Sequence, residues 1–122
     1  MKKMKNINRA QSFKHAICGI CNTAKTEINF RIQLLMGIIA IIVCIVLRVE
    51  VWHYVMVVFA IFFVLAMELV NTAIEALTDL SCEGKVHPLA KIAKDAAAGA
   101  VLLASASAAV VGVVVIVSII RR

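Results

Sequence analysis

Acidic residues recur on one face of a segment that begins as an apolar run: Val64-Leu65-Ala66-Met67-Glu68-Leu69-Val70-Asn71-Thr72-Ala73-Ile74-Glu75-Ala76-Leu77-Thr78-Asp79. At about 100° per residue in a helix, Glu75 and Asp79 each fall within roughly 20° of Glu68, with Asn71 and Thr72 beside them. An acid at the centre of a membrane helix costs about 2.5–3.5 kcal/mol on insertion scales, so a stripe of acids this close to a bilayer needs a compensating partner, and a cation is the obvious one. Glu68 is flanked by Leu65, Ala66, Met67, Leu69 and Val70. An acid at that depth is a functional group by default, and a carboxylate there is suited to taking a proton. For Asp79 the plain alternative is a solvated residue on the watery end of the helix.

Upstream, Glu27 is the sole acid before the first long apolar run. It could pair with Arg31 at i+4. Together with Glu75 it could instead hold a hard divalent cation such as Mg²⁺, which takes one or two carboxylates plus substrate phosphates. Downstream, the Lys94 ammonium could neutralise phosphate charge. The alternative is that Lys94 snorkels to headgroups while Asp95 caps a helix. No Walker A sequence and no G-x-G-x-x-G occur, so a nucleotide site here would be neither a P-loop nor a Rossmann site.

The elements that must carry these residues are membrane elements. Hydrophobic residues make up 63% of the 122, and the mean hydropathy is +1.00, which leaves too little polar surface to cover a soluble globule. The net charge of +6 comes mostly from Lys2, Lys3, Lys5, Arg9, Lys14, Lys25 and Arg31, opposed in that region only by Glu27. Such a basic flank suits anionic headgroups or nucleotide phosphates, and no basic-aromatic surface for nucleic acid accompanies it. The four cysteines do not form a disulfide framework. Cys18-Gly19-Ile20-Cys21 lacks the second ligand pair of a zinc site. A polar segment after the first basic residues excludes a signal-peptide pattern.

The periodicity predicts an all-α integral membrane chain forming one domain over residues 1–122. Residues 1–8 read as a polar, frayed start. Apolar residues at Phe13, Ala16, Ile17, Ile20, Ala24 and Ile28 predict an amphipathic surface helix over 9–30. A first span covers 32–47, interrupted only by Gln33, and a second covers 51–80 with a cytoplasmic extension. Trp52, His53 and Tyr54 stand where an interfacial anchor belongs. A charged loop over 81–95 contains the only proline, Pro88, and a third span covers 96–120. The basic N-terminus and the 81–95 loop fall on the cytoplasmic side. The third span is rich in Ala, Gly and Ser, which predicts close, central packing. Three helices offer little interior, which argues for a homo-oligomer.

Residues 68–79 closely resemble the signature of the prokaryotic diacylglycerol kinase family, as do Thr26-Glu27-Ile28-Asn29-Phe30-Arg31 and Ala90-Lys91-Ile92-Ala93-Lys94-Asp95. The resemblance covers nearly the whole chain. It implies a homotrimer of three-span subunits in the bacterial cytoplasmic membrane, with active sites shared between neighbours on the cytoplasmic side. The reaction it implies moves the ATP γ-phosphate to the primary hydroxyl of a membrane lipid. By position, Glu68 would be the base, and Glu27 and Glu75 would bind Mg²⁺ on the ATP phosphates. Asn71 would orient this group, with Asp79 at the end of the same stripe. Lys94, Asp95 and the loop residues Lys85, Val86 and His87 would contact ATP, and Arg9 and His15 lie near family nucleotide contacts. Glu27-Ile28-Asn29 and His87-Pro88-Leu89-Ala90-Lys91 are more similar to the undecaprenol kinase branch than to the diacylglycerol branch. Undecaprenol is therefore the expected acceptor, with diacylglycerol, giving phosphatidic acid, as the alternative. Outside the resemblance, the acid stripe is also compatible with a non-enzymatic proton or cation relay, or with a scaffold.

Overall fold

The computed structural model of the chain describes residues 8–121. The frayed start expected over residues 1–8 therefore lies outside the described residues, apart from Asn8. Four helices follow in order: α1 Arg9–Thr26, α2 Ile28–Val46, α3 Val51–Ser81 and α4 Pro88–Ile120. The last three are long and apolar enough to cross a membrane. At about 1.5 Å per residue, α3 and α4 are roughly 46 and 50 Å long, against a hydrocarbon core of about 30 Å, so each carries an end beyond it.

The surface helix expected over 9–30 stops at Thr26. Thr23 and Thr26 turn their hydroxyls back onto the carbonyls of Gly19 and Asn22, at 3.0 and 3.2 Å, a local competition that weakens a helix. Glu27 then takes an extended conformation (φ −100°, ψ 114°), and its N–H closes the last turn of α1 on Thr23 O at 2.8 Å. A single residue separates α1 from α2.

Between α2 and α3 the chain reverses in four residues. Arg48 adopts φ 48°, a left-handed conformation that is costly for a residue with a Cβ. The turn is held by Val49 N–H on Cys44 O at 3.2 Å and by the Tyr54 hydroxyl donating to the same carbonyl at 3.0 Å. Tyr54 thus ties the start of α3 to the end of α2. His53, grouped with Trp52 and Tyr54 as an interfacial anchor in the sequence, is instead fully buried at 0% exposure, its ring stacked on Trp52 with centroids 3.7 Å apart. Its position one turn before Val57 puts it on the inward face of α3.

The loop expected over 81–95 is shorter in the structure, and the third long helix starts at Pro88 rather than at 96. The reason is local. Pro88 fits the first helical position, where no N–H is needed, and His87 caps the turn by accepting the Leu89 N–H on Nδ1 at 3.2 Å. Asp95 therefore lies two turns inside α4 and is not its cap. Gly84 at φ 74°, beside Glu83 at φ 50°, provides the left-handed turn that ends α3.

α3 is the central helix of the single chain, packed on α4 along one side and on α2 along the other, while α1 touches α2 and α3. In the single chain the small-residue helix α4 flanks α3. Ala97 and Ala104 are buried, while Leu102, Leu103, Val110 and Val113 are exposed. The core at the turn end gathers Cys44, Val49, Val57 and Val115. All four cysteines are free thiols. At Gly37 of α2 the packing leaves no room for a side chain: an added Cβ would stand 2.9 Å from Ile61 Cγ2. Gly37→Val should therefore force α2 off α3 and cost about 1–3 kcal/mol. A lowered melting temperature in detergent is the expected result; an unchanged one would show that this contact yields freely.

Candidate functional site

The second half of α3 places the acid stripe along a gradient of burial. Glu68 is 3% exposed, Glu75 is half-buried and Asp79 is exposed. Each meets a different partner. Gln33 of α2 donates from Nε2 to Glu68 Oε2 at 3.0 Å. Asn71, 8% exposed, donates from Nδ2 to Glu75 Oε1 at 3.1 Å, the i+4 geometry of one helical turn. Asp79 receives the ammonium of Lys94 from α4.

Gln33 is the residue that reading the chain missed. The available signal was its standing as the lone polar residue in the 32–47 apolar run. A buried carboxylate needs donors, and α2 faces α3 at that level.

Two buried amide oxygens at this end, Gln33 Oε1 and Asn71 Oδ1, have no protein partner. An open groove of about 360 Å³ between α2, α3 and α4 reaches Gln33 and, Ser105 apart, is otherwise apolar, lined by residues including Gly37, Ala60, Val64, Ala108 and Gly112. A second open groove, of about 400 Å³, lies where α3 ends and α4 begins, between Thr78, Cys82, His87 and Leu89.

The break between α1 and α2 puts Glu27 at a helix junction, half-buried, with its carboxylate making no capping hydrogen bond. Among the described residues Glu27 and Arg31 form no ion pair, so the i+4 pairing open to the sequence is not used. In α4, Lys91 pairs with Asp95. Lys85 approaches Glu83 at 3.8 Å in the connecting turn, where Val86 and His87 are exposed. Arg9 and His15 are exposed on α1.

Glu27, Glu75 and the unpartnered Asn71 Oδ1 each offer oxygen, the hard ligand type that Mg²⁺ takes. Among the described residues no three His, Cys, Asp or Glu side chains cluster to hold an ion unaided.

The family model for the prokaryotic diacylglycerol kinases matches residues 14–116. A diacylglycerol kinase of Synechocystis sp. is 40% identical over 105 residues, covering 86% of this chain and 60% of that protein. An undecaprenol kinase of Bacillus subtilis is 37% identical over 105 residues, covering 86% of this chain and 85% of that protein. The chain thus spans three fifths of the first relative's length and most of the second's.

At the polar start of α4, before the uncharged stretch 96–120, the hydrogen bond to Asp79 holds the Lys94 ammonium above the usual lysine range. A raised lysine contributes stability that is complete below its unfolded pKa and is lost as pH rises through the folded one. The melting-temperature gap between the parent chain and Asp79→Asn should therefore stay level from neutral pH to the ordinary lysine range and close above it. A gap that closes below that range would contradict the pairing.

Proposed function

The chain belongs to the prokaryotic diacylglycerol kinase family, a family of lipid kinases, and from that premise we propose that it transfers the γ-phosphate of ATP to the primary hydroxyl of undecaprenol. It is a multi-pass membrane protein with three helices able to cross the bilayer. The observation that carries the reading is Glu68, a nearly fully buried carboxylate on an apolar helix with one of its oxygens held by Gln33.

Phosphoryl transfer asks a protein for positioning and charge neutralisation more than for covalent chemistry. Glu68 takes the proton of the lipid hydroxyl as that oxygen attacks the γ-phosphorus. Asn71 holds the Glu75 carboxylate through its amide nitrogen. Glu27 and Glu75 are the residues to hold Mg²⁺, which when bound neutralises phosphate charge. Lys94, Asp95 and the exposed loop residues Lys85, Val86 and His87 meet the nucleotide from the start of α4, with Arg9 and His15 reaching it from α1. Asp79 acts by keeping Lys94 in place.

The site faces the cytoplasm, the side of ATP and of the basic N-terminal region. α1 lies on that surface, a placement supported by the exposure of Phe13, Ile17 and Ile20 along one flank. The subunits assemble as a homotrimer. The exposed small and apolar residues of α4, which one chain leaves uncovered, support that assembly. Undecaprenol is preferred because Glu27-Ile28-Asn29 and His87-Pro88-Leu89-Ala90-Lys91 are more similar to that branch and the Bacillus subtilis relative is named for it, while the Synechocystis relative's name makes diacylglycerol the second candidate.

The test is transfer of labelled γ-phosphate from ATP by purified protein in mixed micelles, with the two lipids offered separately. Product from undecaprenol, lowered about 10²–10⁴-fold by Glu68→Gln, is the expected outcome. Product from diacylglycerol alone would move the chain to the other acceptor, and none from either with Mg²⁺ present would overturn the reading. Glu75→Gln should raise the Mg²⁺ concentration needed for half-maximal rate; an unchanged requirement would remove Glu75 from the metal site.

A further inference from the structure

The Gln33–Glu68 contact joins two helices across 35 positions of sequence. Its chemistry is lopsided. A carboxylate only accepts hydrogen bonds, so the amide nitrogen must be the atom that faces it. The other end of the same planar group, Gln33 Oε1, is then buried with no partner. A leucine at this place would leave no orphan atom and would suit the apolar run around it.

We propose that Gln33 is the positioning residue for Glu68, its amide donating to the carboxylate before proton transfer and accepting from the carboxylic acid after it. The inference rests on Glu68 being the base. In the reaction the lipid O–H bond breaks and its proton passes to Glu68. The hydroxyl oxygen bonds to the γ-phosphorus, and the bond from that phosphorus to the bridging oxygen breaks, its electron pair leaving on ADP. Glu68 now carries an O–H that needs an acceptor in a place with few. A half-turn about the last side-chain bond of Gln33 exchanges its nitrogen and oxygen and brings Oε1 to that proton. The atom left unpartnered in one state is the partner in the other. An ammonium could serve only the first state and a carboxylate only the second, whereas an amide serves both.

The charged groups of the elements around this end are Lys25 at the close of α1, Glu27 at the junction, Arg31 in the first turn of α2, Glu75 further along α3, and Lys94 and Asp95 of α4. Lys94 is engaged by Asp79, Asp95 by Lys91 and Glu75 by Asn71. The Glu68 side chain takes its hydrogen bond from the neutral Gln33.

The experiment compares kcat, KM and the pH–rate profile of the parent, Gln33→Leu and Gln33→Glu on undecaprenol or diacylglycerol, whichever the parent accepts, with Glu68→Gln as control. Gln33→Leu should lower kcat about ten- to a hundredfold, the worth of one hydrogen bond to a charged group, with KM for ATP within about twofold. Its acidic limb should move, because the donor to the carboxylate and the acceptor for the acid are not lost in equal measure. Gln33→Glu, whose carboxyl can share one proton with Glu68 and so play both parts, should recover most of kcat at its own optimum. A parental profile in Gln33→Leu overturns the proposal. So does a loss of kcat with an unmoved acidic limb that Gln33→Glu does not restore, which is what simple loss of packing would give. A second readout is independent of turnover. The infrared carbonyl band of protonated Glu68, identified by its absence in Glu68→Gln, should shift in Gln33→Leu and in Gln33→Glu, and an unshifted band overturns the proposal. An inactive parent, or a Glu68→Gln variant with full activity, would instead sink the kinase or base reading, and the proposal with it.

Discussion

A carboxylate carried into an apolar environment by a helix cannot stand alone, because nothing there replaces the hydrogen bonds it gave up in water. That requirement organises this chain. Glu68 sits where α3 is still surrounded by apolar neighbours, and the group that answers it comes from α2. That hydrogen bond ties α3 to α2 at this level. One turn along α2 from Gln33, Gly37 leaves room for the Ile61 side chain of α3. The close packing at Gly37 and the polar contact at Gln33 are two parts of one interface.

Along α3 the polar residues meet environments that change with distance from that point. Glu68 is buried and held by a neutral amide, Glu75 is half-buried and held within its own helix, and Asp79 is exposed and held by a lysine. Each pairing suits its surroundings. An exposed ion pair contributes little because water competes for both partners, whereas a buried acid deprived of its donor bears the full cost of desolvation. The deep pair is consequently where geometry matters to chemistry, and the shallow pair serves chiefly to hold α4 beside the end of α3. In the proposed reaction, which brings a water-soluble nucleotide to a lipid alcohol, such a gradient would place the acids on both sides of the boundary the phosphate has to approach.

A single chain leaves this arrangement open on one side. α3 has neighbours on two flanks, but α4 has only α3, and its Ala- and Ser-rich surface is largely uncovered. Lipid would cover large apolar side chains such as Leu102 and Leu103 well enough. Small residues are another matter, because their value lies in letting a second helix come close. The groove between α2, α3 and α4 is lined in the same way, with Gly37, Ala60, Ala108 and Gly112 leaving space and Gln33 at one end.

The sequence alone determined the class of this protein and the line of its acids. Apolar runs of spanning length can be satisfied in a bilayer only as helices, and a period of 3.6 then puts Glu68, Asn71, Glu75 and Asp79 on one side of α3 whatever surrounds it. The short motifs around Glu27, Glu68 and Lys94 carried the family as well, since residue type and spacing are themselves sequence properties. Tertiary structure decided what those residues face. Nothing local to Gln33 says that α2 presents it to Glu68, nor does the aromatic cluster at 52–54 say that His53 turns inward while Trp52 stays half exposed. The same holds for α4, whose small residues allow close packing without saying that α3 is its neighbour within the chain. The helix boundaries fell between these cases. The stop at Thr26 and the start at Pro88 depend on cap and hydroxyl contacts of a few residues, which composition and periodicity average away. Periodicity sets direction around a helix axis, and packing partners are set by rotations between axes that no single segment encodes.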